Sequence, residues 1–423
     1  MVLLMAASDL NNDCVTIDKC RICDSSEIQE ILDLGIQPLA NNLREVADRS
    51  DEKKFPLILV RCKNCTSIQL SVNVNPELMF QDYLWVTGTT ETARKHCENL
   101  AQEVIKYSIE TAGVLEIGSN DGTLLREFRK LTSGQIHGVD PAKEISDSAR
   151  VDGIHIHADF FNLDFANSFE KDFGTVDIVI ARNVLSHVPD LINVLNGIDK
   201  LLSAEGIFIV EFHEASRILN EIHYDSIYHE HTFYHSIKSM TEAQSKVGLI
   251  PFDIMESPIS GGSFVLISSR SARVPSQRLR DAIKREESLG VLSEDAWHNF
   301  ATLATKNLEE INEFLTLNSK KKIRAFGASA RSSTLMNAIG EKAKGLEAIA
   351  DNNPLKWGKL SPGNHLRIDS PKIAIQSDTE IVFICPFNFE GEIVKYLRDE
   401  LKWHGEVFLP LPGQPRVYAI LSE

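Results

Sequence analysis

The chain is 423 residues long, more than one ordinary hydrophobic core supports, so two or three domains are expected. Its composition is that of a soluble globular protein without an apolar run near the roughly 20 residues of a membrane helix. The formal net charge of −16 argues against generic affinity for nucleic acid or anionic membranes. We therefore expect a cytoplasmic protein that acts on a small molecule, and the short apolar stretch at residues 1–7 predicts a loose terminus rather than a signal peptide.

Cysteine spacing predicts a metal site in the first part of the chain. Four of the seven cysteines form two C-x-x-C pairs: Cys20 with Cys23, and Cys62 with Cys65. Four thiolates at this spacing can close a tetrahedron around zinc with no open position, so the predicted zinc is structural and holds together a module over residues 1–75. A disulfide framework is the weaker alternative in a cytosolic chain. Buried or incidental thiols are the simpler interpretation of the other three, Cys14, Cys97 and Cys385.

Residues 114–125 are the most informative stretch, because an apolar strand enters a glycine-bearing turn and then a helix. The turn from Gly118 to Gly122 lets a cofactor lie against bare backbone. The following short strand ends at Asp140, where a carboxylate can accept hydrogen bonds from a ribose diol. Two glycines in place of the three of the dinucleotide pattern favour S-adenosylmethionine over NAD. A structural strand–turn–helix without a ligand is the alternative that these residues leave open.

The rest of the chain predicts two α/β units. From residue 76 to 272, strands and helices alternate as in a doubly wound, Rossmann-like domain with a parallel sheet. Residues 276–317 have helical spacing and no internal proline, which predicts one or two connecting helices. A second Rossmann-like alternation occupies the C-terminal domain, residues 273–423. Its loop at residues 327–334 precedes a helix and carries Arg331, which favours phosphate binding, with a plain tight turn as an equal alternative.

The densest acid/base group is Tyr228-His229-Glu230-His231. Histidine titrates near neutrality and can remove a proton from an activated carbon. A zinc site is the alternative, but the helical H-E-x-x-H spacing is not met, so a general base is favoured. His187 follows a predicted strand and is expected at the same edge of the sheet, although a histidine bonded to backbone is an equal alternative. The aromatic segment at residues 80–85 either covers the site or packs at a domain seam.

Together these features resemble the three-domain sugar C-methyltransferases, which act on nucleotide-linked 4-keto deoxysugars in antibiotic and surface-polysaccharide pathways. The likeness runs nearly from end to end and is highly specific. It is carried by the following motifs: the two cysteine pairs, Leu32-Asp33-Leu34-Gly35, Gln37-Pro38-Leu39-Ala40-Asn41, residues 114–125, Gly138-Val139-Asp140-Pro141-Ala142, Asn183-Val184-Leu185 with His187, residues 228–231, Gly327-Ala328 with Arg331, Thr334-Leu335 with Asn337, Asp351-Asn352-Asn353-Pro354 with Lys356, and Ser361-Pro362-Gly363.

The resemblance implies roles for individual residues. His231 would be the general base that removes the proton alpha to the ketone, with Tyr228, Glu230 and His187 orienting the sugar and sharing the charge of the enolate. The catalytic set implied also includes Tyr83. The residues implied for S-adenosylmethionine are Glu116, Gly118, Asn120, Asp121, Gly122, Asp140, Pro141, Asp159, Phe160 and Asn183. Those implied for the nucleotide-sugar substrate, in the C-terminal domain, are Ser329, Arg331, Ser332, Asp351 and Lys356.

By the same resemblance, the expected reaction is C-methylation at C-3, beside a C-4 ketone, of a sugar carried on dTDP, and a monomer is favoured. The chain departs from the family pattern on the expected substrate side, at Trp85, at Phe264-Val265 and at Pro386-Phe387-Asn388. A different ketone-type acceptor is therefore an alternative, as is a methyltransferase-fold binding protein without activity. An NAD-dependent sugar epimerase or reductase is disfavoured, because both the three-glycine fingerprint and an obvious Tyr-x-x-x-Lys pair are missing.

Overall fold

A computed structural model of the protein describes residues 13–48, 50–80, 87–142, 153–259 and 262–421. Its strands are β1 (Cys14–Thr16), β2 (Ile28–Pro38), β3 (Lys54–Cys62), β4 (Ile68–Leu70), β5 (Val72–Val74), β6 (Val114–Ile117), β7 (Ile136–Val139), β8 (Ile154–His157), β9 (Val176–Arg182), β10 (Leu202–His213), β11 (Phe233–Tyr234), β12 (Ile250–Ser257), β13 (Ser263–Ser269), β14 (Ile323–Phe326), β15 (Ala348–Ala350), β16 (Arg367–Asp369), β17 (Ile381–Ile384), β18 (Gly405–Leu409) and β19 (Arg416–Ile420).

The α-helices in these ranges are α1 (Glu77–Phe80), α2 (Glu91–Val104), α3 (Thr123–Arg129), α4 (Leu163–Phe173), α5 (Leu191–Leu201), α6 (Ala215–Glu221), α7 (Ile237–Ser245), α8 (Gln277–Ser288), α9 (Glu294–Leu317), α10 (Ala330–Ile339), α11 (Pro371–Ala374) and α12 (Glu390–Asp399). Short 3-10 turns lie between them, including Leu185–His187 and Tyr224–Ser226. In the part of the chain that the structure describes, no helix is long and apolar enough to cross a bilayer.

The central sheet has seven strands in the order β12-β13-β10-β9-β6-β7-β8. All neighbouring pairs from β10 to β8 are parallel, as the sequence predicts, whereas β13 runs antiparallel to both β10 and β12. The short connection from β12 to β13 is the reason, since a hairpin can only join antiparallel strands. The predicted fold class, a Rossmann-like α/β domain with a zinc module and a second α/β domain, is confirmed.

Strand β6 is buried on both faces, which explains why its sequence is mostly apolar. Val114 packs on one face with residues of α2 and α3, such as Leu100 and Phe128. Leu115 packs on the other face with residues such as Leu195. Helices on both sides therefore hold the strand that ends at the glycine turn.

The cysteine-containing region forms a four-stranded antiparallel sheet in the order β11-β4-β3-β2. Strand β11 comes from far along the chain, directly after residues 228–231, and pairs Phe233 with Gln69 and Tyr234 with Ile68. The predicted domain boundary at residue 75 remains a prediction, and this sheet contains strands from both sides of it.

The C-terminal sheet has six strands in the order β16-β15-β14-β17-β18-β19, and only β19 is antiparallel to its neighbour. Two helices, α8 and α9, precede it. Trp297 of α9 is fully buried, and its indole N–H donates to the Val291 carbonyl at 2.8 Å. The strand order reverses between β14 and β17, which is the position where open α/β sheets bind ligands.

Candidate active site

The four predicted zinc ligands converge. The Sγ atoms of the four cysteines all lie within 4.8 Å of one another, and both the Cys20–Cys65 and the Cys23–Cys62 sulfur distances are 3.5 Å. A tetrahedron with zinc–sulfur bonds of about 2.3 Å separates its sulfurs by about 3.8 Å. The Gln69 side-chain amide also donates to Cys20 Sγ at 3.2 Å, which stabilises a thiolate. The donor set fits a closed, structural zinc ion.

The turn after β6 has the backbone geometry that a tight approach requires. Gly118 and Gly122 have φ values of 67° and 71°. A Cβ on Gly118 would lie 3.1 Å from the Val184 side chain, so the turn packs closely against the segment that follows β9. Glycine is therefore favoured at residue 118 by its backbone conformation, and a side chain there would require Val184 to shift.

Asp140 ties this turn to the end of β7. Its Oδ2 accepts a hydrogen bond from the Asn120 N–H and its Oδ1 accepts one from the Ala142 N–H, both at 2.9 Å. Burial raises the pKa of this carboxyl, while the two backbone donors act in the opposite direction. Because a carboxylate oxygen can accept more than one hydrogen bond, the same group can also serve a ribose hydroxyl.

The polar residues within the turn contact the segment that leads into α2. Asn120 Oδ1 accepts from the Thr87 N–H at 2.9 Å, and Asp121 Oδ2 accepts from the Gly88 N–H at 3.0 Å. These bonds hold residues 87–88 against the turn. The predicted residue Tyr83 lies outside the described residues.

Glu116 lies beneath α2 in the sheet and is fully buried. Its Oε1 accepts from Arg182 Nε at 3.0 Å, and burial raises its pKa to about 7. Glu211 on β10 is also fully buried and lies 3.0 Å from His96 Nε2. Glu116 thus belongs to a row of buried charged groups that crosses three adjacent strands.

The other residues predicted to hold the cofactor lie at the carboxyl ends of β7, β8 and β9. Asn183 follows β9 with a φ of 53°, and its N–H donates to the Glu211 carbonyl at 2.7 Å. Pro141 is exposed after β7, and Asp159 and Phe160 are exposed after β8. The structure therefore places these residues along the same edge of the sheet as the glycine turn.

Three of the predicted catalytic residues meet. The Tyr228 hydroxyl lies 2.9 Å from His231 Nε2. The centroid of the His231 ring is 4.2 Å from that of Tyr228 and 4.7 Å from that of His187. Burial lowers the pKa of His231 well below its usual value, and the nearby charges of His187, His213 and Arg331 act in the same direction.

His187 is held by backbone carbonyls. Its Nδ1 lies 2.5 Å from the Glu230 carbonyl oxygen, and because a carbonyl only accepts, Nδ1 must carry the proton. Burial lowers the pKa of His187, opposed by the carbonyls of Glu230 and Asn183. His187 is therefore bonded to backbone and also lies beside the His231 ring, and its catalytic role stays a prediction.

The side chain of Glu230 points to the zinc module. It is 2% exposed, and its Oε1 accepts hydrogen bonds from the backbone N–H and the Nδ2 of Asn41 at 3.2 and 3.1 Å. Burial raises the pKa of Glu230. Sequence reasoning assigns no separate role to Asn41. The signal that could have indicated one is its position at the end of the Gln37–Asn41 motif.

His229 of this run and His235, four residues after it, have structural contacts. His229 Nε2 lies 3.2 Å from the Pro56 carbonyl, and the His235 ring stacks on Phe233 with centroids 5.0 Å apart. Burial lowers the pKa of His229 to about 4 and that of His235 to about 3.

Comparisons with known proteins identify three regions of the chain. Residues 20–80 match a zinc binding domain, residues 90–250 match a methyltransferase domain, and residues 258–412 match a C-methyltransferase C-terminal domain. The chain is 28% identical over 413 residues to the C-methyltransferase NovU of Streptomyces niveus, covering 96% of this chain and 98% of that protein.

Together these matches show that the chain is an S-adenosylmethionine-dependent C-methyltransferase. Its cofactors are S-adenosylmethionine and structural zinc. Among solved structures, it is similar to magnesium protoporphyrin IX methyltransferase from Synechocystis PCC 6803 with bound SAM (14% identity, 45% of this chain, 87% of that chain, TM-score 0.33). It is also similar to an S-adenosylmethionine-dependent methyltransferase from Clostridium acetobutylicum ATCC 824 (9% identity, 44% of this chain, 94% of that chain, TM-score 0.33).

In this C-methyltransferase, the predicted substrate residues of the C-terminal domain form bonds within the protein. Ser329 and Ser332 form a capping box at the start of α10. Asp351 accepts from the Ala328 and Asn353 N–H groups, both at 2.8 Å, and lies 3.3 Å from Lys356 Nζ. Their roles in substrate binding stay predictions.

Arg331 reaches from α10 into the methyltransferase domain. It donates from Nε and Nη2 to the carboxylate of Asp225 at 2.8 and 2.9 Å. Its guanidinium also lies 4.7 Å from the centroid of the Phe387 ring. Thr334 on the same helix donates to the Ile227 carbonyl at 3.0 Å. The C-terminal domain of the enzyme therefore contacts the segment that leads into Tyr228.

The departures from the family pattern have different surroundings. Phe264 and Val265 are buried in β13, where Phe264 packs 6.3 Å from Phe212, so they belong to the core. Phe387 lies at the seam, with its ring 4.9 Å from that of His223. Trp85 lies outside the described residues.

Proposed function

We propose that this C-methyltransferase removes the proton alpha to the ketone of a nucleotide-linked 4-keto deoxysugar, carried on dTDP, and places the methyl group on that carbon, C-3. The observation that carries the proposal is the His231 imidazole, 2.9 Å from the Tyr228 hydroxyl and beside His187, at the sheet edge that also bears the glycine turn. The sugar class comes from the family resemblance of the whole chain.

The protonation state of His231 is the one that a general base requires. Its lowered pKa keeps the imidazole neutral at pH 7, and only the neutral ring can accept a proton. A ketone acidifies the adjacent C–H bond, and because the lowered pKa also makes the ring a weaker base, the proton transfer depends on stabilisation of the enolate oxygen. The protonated ring can then donate to the Tyr228 oxygen.

The groups around His231 can stabilise the negative charge of the enolate. The Tyr228 hydroxyl is a hydrogen-bond donor next to the base, and Arg331 contributes positive charge close enough to affect the pKa of His231. When bound at the glycine turn, S-adenosylmethionine supplies an electrophilic methyl group. Residues 87–88 and Val184 close this turn on two sides, which limits the positions that a ligand can take.

The C-terminal domain supports a nucleotide carrier. Its Gly327 has a φ of 94°, and a Cβ there would lie 2.5 Å from Pro386, so this second turn also requires glycine. It lies between the carboxyl ends of β14 and β17, where the strand order reverses. The contacts of Arg331 and Thr334 bring α10 to the catalytic segment, which favours one extended ligand over two separate ones.

The His231→Ala variant tests the proposal. With dTDP-4-keto-6-deoxyglucose in heavy water, the wild-type enzyme should exchange one ring hydrogen for deuterium and, with S-adenosylmethionine, add one methyl group at the same carbon. His231→Ala should lose both reactions by about 10²-fold or more, since it removes the base. Mass spectrometry and NMR identify the carbon.

Cofactor binding provides the control. Calorimetry should show S-adenosylmethionine binding to His231→Ala within about twofold of wild type, because a tenfold change needs a difference of about 1.4 kcal/mol. A variant that retains exchange would remove His231 as the base. A wild-type enzyme that exchanges no ring hydrogen of any 4-keto deoxysugar would direct the search to another ketone.

A further inference from the structure

One residue of the zinc module, Asn41, donates hydrogen bonds to a side chain of the segment at residues 228–231. Strand β2 ends at Pro38, and the buried residues Leu39 and Ala40 fix the chain just beyond it. Asn41 follows and is exposed, yet both its backbone N–H and its side-chain amide donate to Glu230 Oε1. Asn41 therefore connects an exposed position of the zinc module to a buried carboxylate of the segment at residues 228–231.

Only one of the two carboxylate oxygens of Glu230 accepts hydrogen bonds among the described residues. Its Oε2 is buried and has no hydrogen-bond partner among the described residues. An unpartnered buried oxygen is unfavourable, and such groups are uncommon in native structures. Asn41 satisfies Oε1 with two donors and thereby sets the plane of the carboxylate. The other oxygen is left as an acceptor for a group that arrives with a ligand.

Glu230 also orients a second catalytic residue through its backbone. Its carbonyl oxygen accepts from His187 Nδ1, and the His187 ring lies against His231. The neighbouring His229 is anchored on the Pro56 carbonyl, and β11 pairs with β4. The segment at residues 228–231 is therefore held by the zinc module at several points. Asn41 donates to the Glu230 side chain, and the Ala40 backbone also lies close enough to lower the pKa of that carboxyl group.

We infer that Asn41 is a positioning residue, which fixes the Glu230 carboxylate so that Oε2 accepts a hydrogen bond from a hydroxyl group of the acceptor. The inference rests on the proposed function, because it assigns a hydroxyl-bearing acceptor to the same site. The zinc module would then supply part of the acceptor pocket in addition to stability.

The experiment compares Asn41→Ala with Asn42→Ala in the full-length, zinc-loaded enzyme. Asn42 is the same residue type, adjacent in sequence and also exposed, and no side-chain hydrogen bond of Asn42 is found among the described residues. With dTDP-4-keto-6-deoxyglucose, Asn41→Ala should lower kcat/KM for the acceptor about tenfold, as expected for losing one hydrogen bond to a charged group. Asn42→Ala should match wild type. Zinc content and the Kd for S-adenosylmethionine should stay unchanged in both variants.

A double-mutant cycle separates positioning from a general structural effect. In a Glu230→Gln background, Asn41→Ala should cause little further loss, because both changes act on one interaction. Asn41→Ser, which retains a side-chain donor, should recover part of the activity. Equal losses in the two backgrounds, or wild-type kinetics in Asn41→Ala, would overturn the inference.

The wild-type assay distinguishes a failure of the proposed function from a failure of the role inferred for Asn41. If the wild-type enzyme neither exchanges nor methylates 4-keto deoxysugars, the proposed acceptor is wrong, and the hydroxyl contact assigned to Glu230 is wrong with it. If the wild-type enzyme is active and Asn41→Ala is equally active, only the role of Asn41 is wrong.

Discussion

At the scale of single residues, the two Rossmann-like units use an aspartate in the same way. Asp140 and Asp351 each follow the second strand of their unit, and each accepts one N–H from the glycine turn and one from two residues ahead. Asp351 also has Lys356 Nζ at 3.3 Å. The cation occupies one side of the second carboxylate.

We predict that Asp140→Ala raises the Kd for S-adenosylmethionine by about tenfold or more, because it removes the proposed ribose acceptor and the bond that holds the Asn120 amide. Isothermal titration calorimetry measures the change. Asp351→Ala is the matched control, since it disturbs the equivalent bonds in the other domain and should leave this Kd within about twofold. An unchanged Kd in Asp140→Ala would show that the ribose contact is misplaced.

At the scale of elements, local patterns predict most of the fold. The strand, turn and helix around Gly118 follow from residues that are adjacent in sequence, and so do the paired cysteines. In contrast, β11 has only two residues and pairs with β4 from a distant part of the chain. The ion pair of Arg331 with Asp225 is likewise long-range. Such contacts depend on how the domains pack, so no local pattern indicates them.

A buried carboxylate links α7 of the methyltransferase domain to α8, one of the two helices that precede the C-terminal sheet. Glu286 on α8 is 5% exposed, and it accepts hydrogen bonds from the Ile237 and Lys238 N–H groups, at 2.6 and 2.9 Å, in the first turn of α7. Burial, opposed by these two bonds, raises its pKa from 4.5 to about 7. Between these values the folded protein binds more protons than the unfolded chain, so the contribution of Glu286 to stability falls as the pH rises.

We therefore predict that Glu286→Gln, which cannot ionise, gains stability relative to wild type by about 3 kcal/mol as the pH rises from 4.5 to 8. Denaturant unfolding of both proteins across this range measures the difference. The exposed neighbour substitution Glu287→Gln should show a profile parallel to wild type. A constant difference between Glu286→Gln and wild type would mean that Glu286 titrates at its ordinary pKa.

At the scale of the whole molecule, the zinc module contacts both other parts of the enzyme. It shares a sheet with β11, and Glu52 accepts from the Gly363 N–H of the C-terminal domain at 3.0 Å. The Arg44 backbone also pairs with that of Leu360. Loss of the metal should therefore affect more than the module that binds it.

We predict that Cys20→Ser lowers the zinc content to well below one ion per chain and destabilises the protein by several kcal/mol, because structural zinc binding is coupled to folding. Elemental analysis and thermal unfolding test this. Cys14→Ser is the control, since Cys14 is also buried in the module but lies outside the four-cysteine cluster. A stable Cys20→Ser protein without metal would contradict the zinc assignment.

The ion pair between Arg331 and Asp225 has a consequence for chimeric enzymes. Asp225 lies only three residues before Tyr228, and its buried carboxylate depends on an arginine from the C-terminal domain. An exchange of C-terminal domains between relatives must therefore transfer this pair as a unit, together with the Thr334 contact. A donor domain without the arginine would leave the buried Asp225 carboxylate unpaired, so recombination at the domain boundary would destabilise the segment that leads into Tyr228.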